Sequence, residues 1–148
     1  MPSRPAIPAS PCPVARSADL IGDRWSLLIV RDAFDGVRRF GDFQRSLGMA
    51  RNILADRLRK LVEAGILETR EASDGSAYRE YALSAKGEDL FAVVLALRQW
   101  GERHLFDHGE RHSALIDTRS GKPVARMQPR AADGTRLRPA DTEVRKVR

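Results

Sequence analysis

Between residues 50 and 67 the chain reads ARNILADRLRKLVEAGIL, and Leu54, Leu58 and Leu61 recur there at the spacing that builds one apolar face of a helix. With Leu54 at the centre of that face, about 100° per residue carries Asn52, Asp56, Arg59 and Glu63 to the opposite side, flanked by Ala55 and Lys60. The outward face is therefore polar and hydrogen-bonding. Gly65 ends the helix, and the apolar pair Ile66 and Leu67 opens an extended run.

The neighbouring segments carry equally local signals. LETREAS and AYREYALS are two extended runs joined across Ser73-Asp74-Gly75-Ser76, where Asp-Gly favours a hairpin, so a β-ribbon is expected over residues 67–83. Ser84 reads as an N-cap, and a helix bearing Leu90, Phe91, Val94, Leu97 and Trp100 is expected to run on from it to His104. Upstream, Asp23 caps a helix holding Trp25, Leu28, Ile29 and Ala33, which Gly36 closes. Between them RRFGDFQRSLG offers one apolar edge, Phe40, Phe43 and Leu47.

Helix, helix, short helix, helix, hairpin, helix is the order of a winged helix-turn-helix, in which the 50–67 helix would be the recognition helix and the ribbon its wing. The fold class expected is thus mainly α with a small β-wing, plus a C-terminal extension of short β-hairpins. The chain resembles the HxlR-type transcriptional regulators of bacteria in five places: Cys12-Pro13-Val14, Leu20-Ile21-Gly22-Asp23-Arg24-Trp25, Arg38-Arg39-Phe40-Gly41-Asp42-Phe43, Leu54-Ala55-Asp56-Arg57-Leu58, and Tyr81-Ala82-Leu83-Ser84-Ala85-Lys86-Gly87. The likeness spans roughly residues 12–104. It departs at Ala50, where related proteins often carry a capping Ser or Thr; losing that cap costs about 1 kcal/mol. The resemblance implies a homodimer on double-stranded DNA.

Charge refines this picture by its location. The net charge of +6 does not come from residues 1–118, where 17 basic and 17 acidic side chains cancel; residues 119–148 hold 9 basic against 3 acidic. DNA binding must then rest on local clustering, which residues 38–60 supply. Arg51 and Asn52 lie in the first turn of the recognition helix, where side chains meet base edges, Arg favouring guanine and Asn adenine. Arg39, Arg45, Arg59 and Lys60 suit phosphates, while Arg79 or the Asp74-Gly75 tip suits the minor groove. The alternative at these positions is an ordinary solvated helix face.

Three parts are expected: a Pro-rich disordered arm over residues 1–11, a DNA-binding and dimerisation domain over 12–108, and a basic extension over 109–148. In the extension, residues 114–116, 124–127 and 135–137 are short apolar runs punctuated by Gly121 and Asp133-Gly134, which read as one or two irregular hairpins. Some HxlR-type relatives carry a cysteine-bearing ribbon here, and this chain has no cysteine in that region. No apolar run reaches the length of a membrane span, and the start lacks signal-peptide order, so a cytoplasmic protein is expected.

The single cysteine, Cys12, excludes an internal disulfide and a multi-cysteine zinc site. Pro13 suits a first helical turn, which places the thiol at a helix N-terminus with Arg16 one turn on; both favour thiolate. The resemblance implies a redox-sensing role, and the other reading is an inert packing residue in the dimer-forming helix. His104, His108 and His112 recur every four residues and would share a face only on one continuous helix; otherwise they are the polar end of the last helix. Trp25 and Trp100 read as core or dimer anchors, the alternative being a ligand cage. There is no HExxH, no Gly-x-Ser-x-Gly elbow and no phosphate-binding glycine loop, so neither enzyme activity, nor a metal, nor a cofactor is expected. The function expected is a sequence-specific, homodimeric regulator on an inverted-repeat operator, responsive to redox or to a ligand whose identity the sequence leaves open. The rival is a sequence-tolerant architectural DNA binder, for which the basic extension argues.

Overall fold

The computed structural model describes residues 10–147, so nearly all of the expected N-terminal arm lies outside the described residues. These residues fall into two compact units, one within Met1–Phe91 and one within Ala92–Arg148. The domain expected over residues 12–108 spans both, since the residues of its last helix from Ala92 onward fall in the second unit.

In the first unit, α1 (Pro13–Ile21), α2 (Arg24–Phe34), α3 (Phe40–Leu47) and α4 (Arg51–Glu63) precede the strands β1 (Leu67–Glu71) and β2 (Arg79–Leu83). The helix ends follow the expected chemistry. Asp23 caps α2 by accepting the Ser26 N–H at 3.0 Å. Gly36 and Gly65 take left-handed backbone, φ 97° and 77°, just past α2 and α4. At α4 the Gly65 N–H reaches the Val62 carbonyl at 3.0 Å and the Ile66 N–H reaches the Leu61 carbonyl at 2.9 Å, which satisfies the last helical carbonyls and turns the chain into β1.

Leu54, Leu58 and Leu61 are fully buried, as their spacing predicts, in a core shared with Ile29, Val30, Phe43, Ile66 and Leu67. Each such side chain contributes about 1.5–3 kcal/mol when removed from water. The core thus locks α4 to α2, α3 and the base of the ribbon.

β1 and β2 pair antiparallel with Leu67 opposite Leu83 and Glu71 opposite Arg79. The Asp74-Gly75 turn is present, with Gly75 at φ 75°, but it sits inside a loop of residues 72–78 rather than joining the strands directly. Ser84 then does what an N-cap should, accepting the Gly87 N–H at 3.0 Å, and its hydroxyl also donates to the Gly65 and Ile66 carbonyls. Lys86 donates to the Ala64 carbonyl at 2.7 Å. A Cβ on Gly87 would lie 2.2 Å from the Ile66 carbonyl oxygen, so only glycine lets this turn close on the ribbon's base. The wing is therefore fixed to the end of α4 by contacts with its backbone.

One expectation is corrected here. The helix from Ser84 is not continuous: α5 (Ala85–Glu88) ends in a tight turn, with the Leu90 N–H on the Gly87 carbonyl at 3.0 Å, before α6 (Phe91–His104) begins. The turn brings Phe91 against Phe34, ring centroids 5.4 Å apart.

Among the described residues of the second unit only Leu95 of α6 is buried, and Val93, Leu97 and Trp100 are exposed. Trp100 is thus not a core residue of the single chain. The extension makes two tight turns, each closed by one bridge, Ile116 with Pro123 and Arg130 with Arg136, followed by a 3-10 turn at Pro139–Asp141. The expected hairpins are present in this minimal form. No helix among the described residues is long and apolar enough to cross a membrane.

Candidate nucleic-acid interface

Three pieces of the first unit meet around an open concavity of about 670 Å³: the start of α3, the first turn of α4 and the wing. Arg39, Arg45, Arg51 and Arg79 all line it, together with Phe40, Tyr78 and Tyr81. Four of the seven expected DNA-contacting residues are therefore brought to one place. The fold assembles them because α3 starts at Phe40, α4 starts at Arg51, and the Tyr81 N–H bonds the Arg38 carbonyl at 2.7 Å, holding β2 beside the entry to α3.

The four arginines are not equivalent. Arg39 is committed to the wing: its guanidinium donates to the Asp74 carboxylate and, at 3.4 Å, to the Ser76 hydroxyl, lies 3.9 Å from Glu80, and sits over the Tyr78 ring at 5.7 Å. The Ser76 N–H and then the Arg39 guanidinium hold Asp74 well below the usual carboxylate range, at about 2, and the bond to Asp74 raises Arg39 in turn. Arg45 pairs with Asp42 on its own helix. Arg79 donates to the Thr69 hydroxyl at 3.1 Å. Arg51 lies over the Phe40 ring at 5.4 Å and has no carboxylate partner among the described residues.

The rest of α4 behaves differently. Arg59 and Lys60 are on its exposed face as expected, yet both are engaged: Asp56 takes Arg59 at 2.7 Å and Lys60 at 3.2 Å, and Glu63 takes Arg59 at 3.1 Å. The hydrogen bonds from Lys60 and Arg59 hold Asp56 below its ordinary range. Arg57 reaches the α2 cap, 3.3 Å from Asp23. Burial raises the Asp23 carboxyl, but the Ser26 N–H and Arg57 outweigh it and leave its pKa lowered.

Asn52 is exposed in the first turn of α4, next to Arg51. Ala50 makes no side-chain cap to this helix. The first-turn N–H groups thus lack a capping side chain, at the positive end of a 13-residue helix.

Sequence reasoning missed the aromatic floor of the concavity and the acidic wing residues that claim Arg39. The period-two pattern of the ribbon does place Tyr81 and Arg79 on one side of β2; no short-range pattern pairs Arg39 with Asp74, 35 residues away.

Outside the concavity, Cys12 is the N-cap of α1, with Pro13 in the first turn; its thiol accepts the Ala15 N–H at 3.4 Å and is exposed. Burial within a single chain is therefore not its situation. α6 ends at His104, so His108 and His112 are off the helix, and no cluster of three His, Cys, Asp or Glu among the described residues could hold a metal. Trp25 is half-buried, with the Arg24 guanidinium 4.9 Å from its ring.

A helix pair followed by a capped ribbon, with cationic side chains gathered between the second helix and the ribbon, defines a winged helix-turn-helix. A profile of the HxlR-like helix-turn-helix family matches residues 20–109, and the chain belongs to that family. An uncharacterized HTH-type transcriptional regulator of Mycobacterium tuberculosis is 48% identical over 92 residues, which are 62% of this chain and 58% of the relative's length. The crystal structure of PA1607 is similar over 94% of this chain and 97% of that one, with a TM-score of 0.89 and 52% identity. The redox regulator HypR in its oxidized form matches 63% of this chain and 97% of its own, with a TM-score of 0.57 and 31% identity. The family and the relatives named are transcriptional regulators, not enzymes.

Proposed function

We propose that the protein is a homodimeric transcriptional regulator that binds an inverted-repeat operator in duplex DNA. The observation that carries this reading is the concavity in which Arg51, with no carboxylate partner among the described residues and beside Asn52, joins Arg39, Arg45 and Arg79 at the start of α4, which has no side-chain cap. A helix N-terminus with free N–H groups attracts phosphate, and a first-turn Arg and Asn reach base edges when that end enters the major groove. The other arginines and the wing then flank the DNA backbone. A cytoplasmic location accords with that role.

Dimerisation is assigned to α1 and α6. Val14 and Leu20 of α1, and Val93, Leu97 and Trp100 of α6, are exposed apolar side chains that a second copy would cover. Two recognition helices related by a twofold axis require half-sites about 10 bp, or a multiple, apart. Protection mapping on an operator selected from a random duplex pool should show that spacing, and light scattering should show a dimer; one unrepeated site or a monomer contradicts the reading.

Cys12 is proposed as a redox-responsive thiol. It is exposed at a helix N-terminus, and the HypR likeness accords with that use. With no second cysteine, a disulfide must join two chains or capture a small thiol. Oxidant should release DNA from the parent and not from Cys12→Ser; equal sensitivity of both rejects the role.

The charge excess beyond residue 118 keeps the sequence-tolerant binder as a second reading. Deleting residues 119–148 should weaken binding to random DNA and lower its salt dependence while leaving operator preference intact.

A further inference from the structure

We propose that the C-terminal unit carries a binding site for a small organic anion, a carboxylate or phenolate on an apolar body, between one face of α6 and the first turn of the extension. At about 100° per residue, Leu95, Arg98, Gln99 and Glu102 share one side of α6, and Val93, Leu97 and Trp100 take the other. The extension is fastened to the first side by two clamps. Gln99 donates to the Ala125 carbonyl at 3.1 Å and accepts the Met127 N–H at 2.8 Å, while Arg98 donates to the Ser113 hydroxyl at 2.8 Å and its carbonyl at 3.3 Å. A cavity of about 270 Å³ lies between these clamps.

Its lining is amphiphilic. Leu95, Leu115, Pro123 and Val124 supply apolar surface, and the charged walls are Arg98, Arg103 and Arg126 against the one acid, Glu102. Glu102 faces His112 at 3.9 Å, and Arg103 and Arg126 have no ion pair and no side-chain hydrogen bond among the described residues. An inorganic anion would leave the apolar lining wet, and a neutral apolar molecule would make no use of the exposed Arg103 and Arg126 guanidinium groups. A carboxylate on a single ring satisfies both, because guanidinium groups match carboxylate geometry and the volume falls just below the range that holds drug-sized ligands.

About half of the site comes from residues beyond 109, where the family profile ends, yet the likeness to PA1607 extends over 94% of the chain. Its role rests on the dimer reading above. A ligand there would press on the side of α6 opposite Val93, Leu97 and Trp100, and so reach the dimer contact through one helix; that is how an effector would act.

Benzoate is the probe, with benzamide as its neutral isostere and acetate as its ringless counterpart, titrated into the full chain at constant ionic strength without DNA. Calorimetry should give one saturable benzoate site per chain in the millimolar range or tighter, with benzamide and acetate weaker by about tenfold or more. Arg126→Ala and Arg103→Ala should each lower benzoate affinity by about fivefold, and Arg145→Ala, which removes the same charge outside the cavity, should leave it unchanged. No saturable benzoate binding, equal binding of benzamide, or an equal loss in Arg145→Ala would overturn the proposal. Sedimentation of the unliganded chain tests the dimer separately: a monomer that still binds benzoate rejects the effector route and retains the site.

Discussion

The two ends of α4 present the same kinds of side chain in opposite states. At the start, Arg51 lines an open concavity beside Asn52, with no carboxylate against it among the described residues. Further along the helix, Arg57, Arg59 and Lys60 are all drawn onto Asp23, Asp56 and Glu63. A basic residue on an exposed helix face is thus not equivalent to one with no carboxylate against it: an exposed ion pair must open before its cation can meet a phosphate. On the proposed reading, base reading and phosphate capture fall to the first end, while the ion pairs of the second stabilise the helix and tie it to α2.

The largest effect should come from removing what both ends share. Leu58→Ala empties a fully buried position on the stripe that seats α4, so it should cost about 2–5 kcal/mol of unfolding free energy by denaturant titration and weaken operator and random DNA binding together. Next, Arg51→Ala or Asn52→Ala should lower operator affinity by about 1–3 kcal/mol and spare random DNA, as a base contact requires.

Smaller effects should come from the second end. Asp56→Asn frees Arg59 and Lys60, and should raise affinity for random DNA, by less than about threefold, and steepen its salt dependence. Affinity that falls instead would mean that the ladder holds the helix in shape for DNA. The smallest effect is in acid. Asp23 and Asp56 have pKa values lowered by their partners, so their contribution is present above the ordinary carboxylate pKa of 3.8 and is lost as pH falls through the lowered values. Asp74, held at about 2, should release Arg39 last. Unfolding midpoints measured from about pH 5 to about pH 2 should decline in the parent and be flatter in Asp23→Asn.

Much of the first unit was legible in the chain because its signals are local. Asp23, Gly36, Gly65 and Ser84 mark helix ends through their own backbone and side-chain chemistry, and the Leu54-Leu58-Leu61 stripe reports which face is buried. The break between α5 and α6 was not legible: the Ser84 cap and the apolar positions after it read as one helix, and the turn at Leu90 accompanies a contact between Phe91 and Phe34, which lie far apart in the chain. The site was half legible. Residue type and position placed Arg39, Arg45, Arg51 and Arg79 in a DNA-facing set, and three-dimensional pairing separates Arg39, tied to the wing, from Arg51, which is not. Arg59 and Lys60, expected at phosphates, pair with Asp56 three and four residues back, a spacing that the sequence already carries.

The most direct test sets the two ends side by side. Arg51→Ala and Arg59→Ala each remove one arginine from the same helix, and each is measured for operator against random duplex over a range of salt. The account predicts that Arg51→Ala lowers the operator-to-random ratio by about tenfold or more, whereas Arg59→Ala leaves that ratio unchanged. Equal losses of the ratio in both variants, or a loss confined to Arg59→Ala, would contradict it.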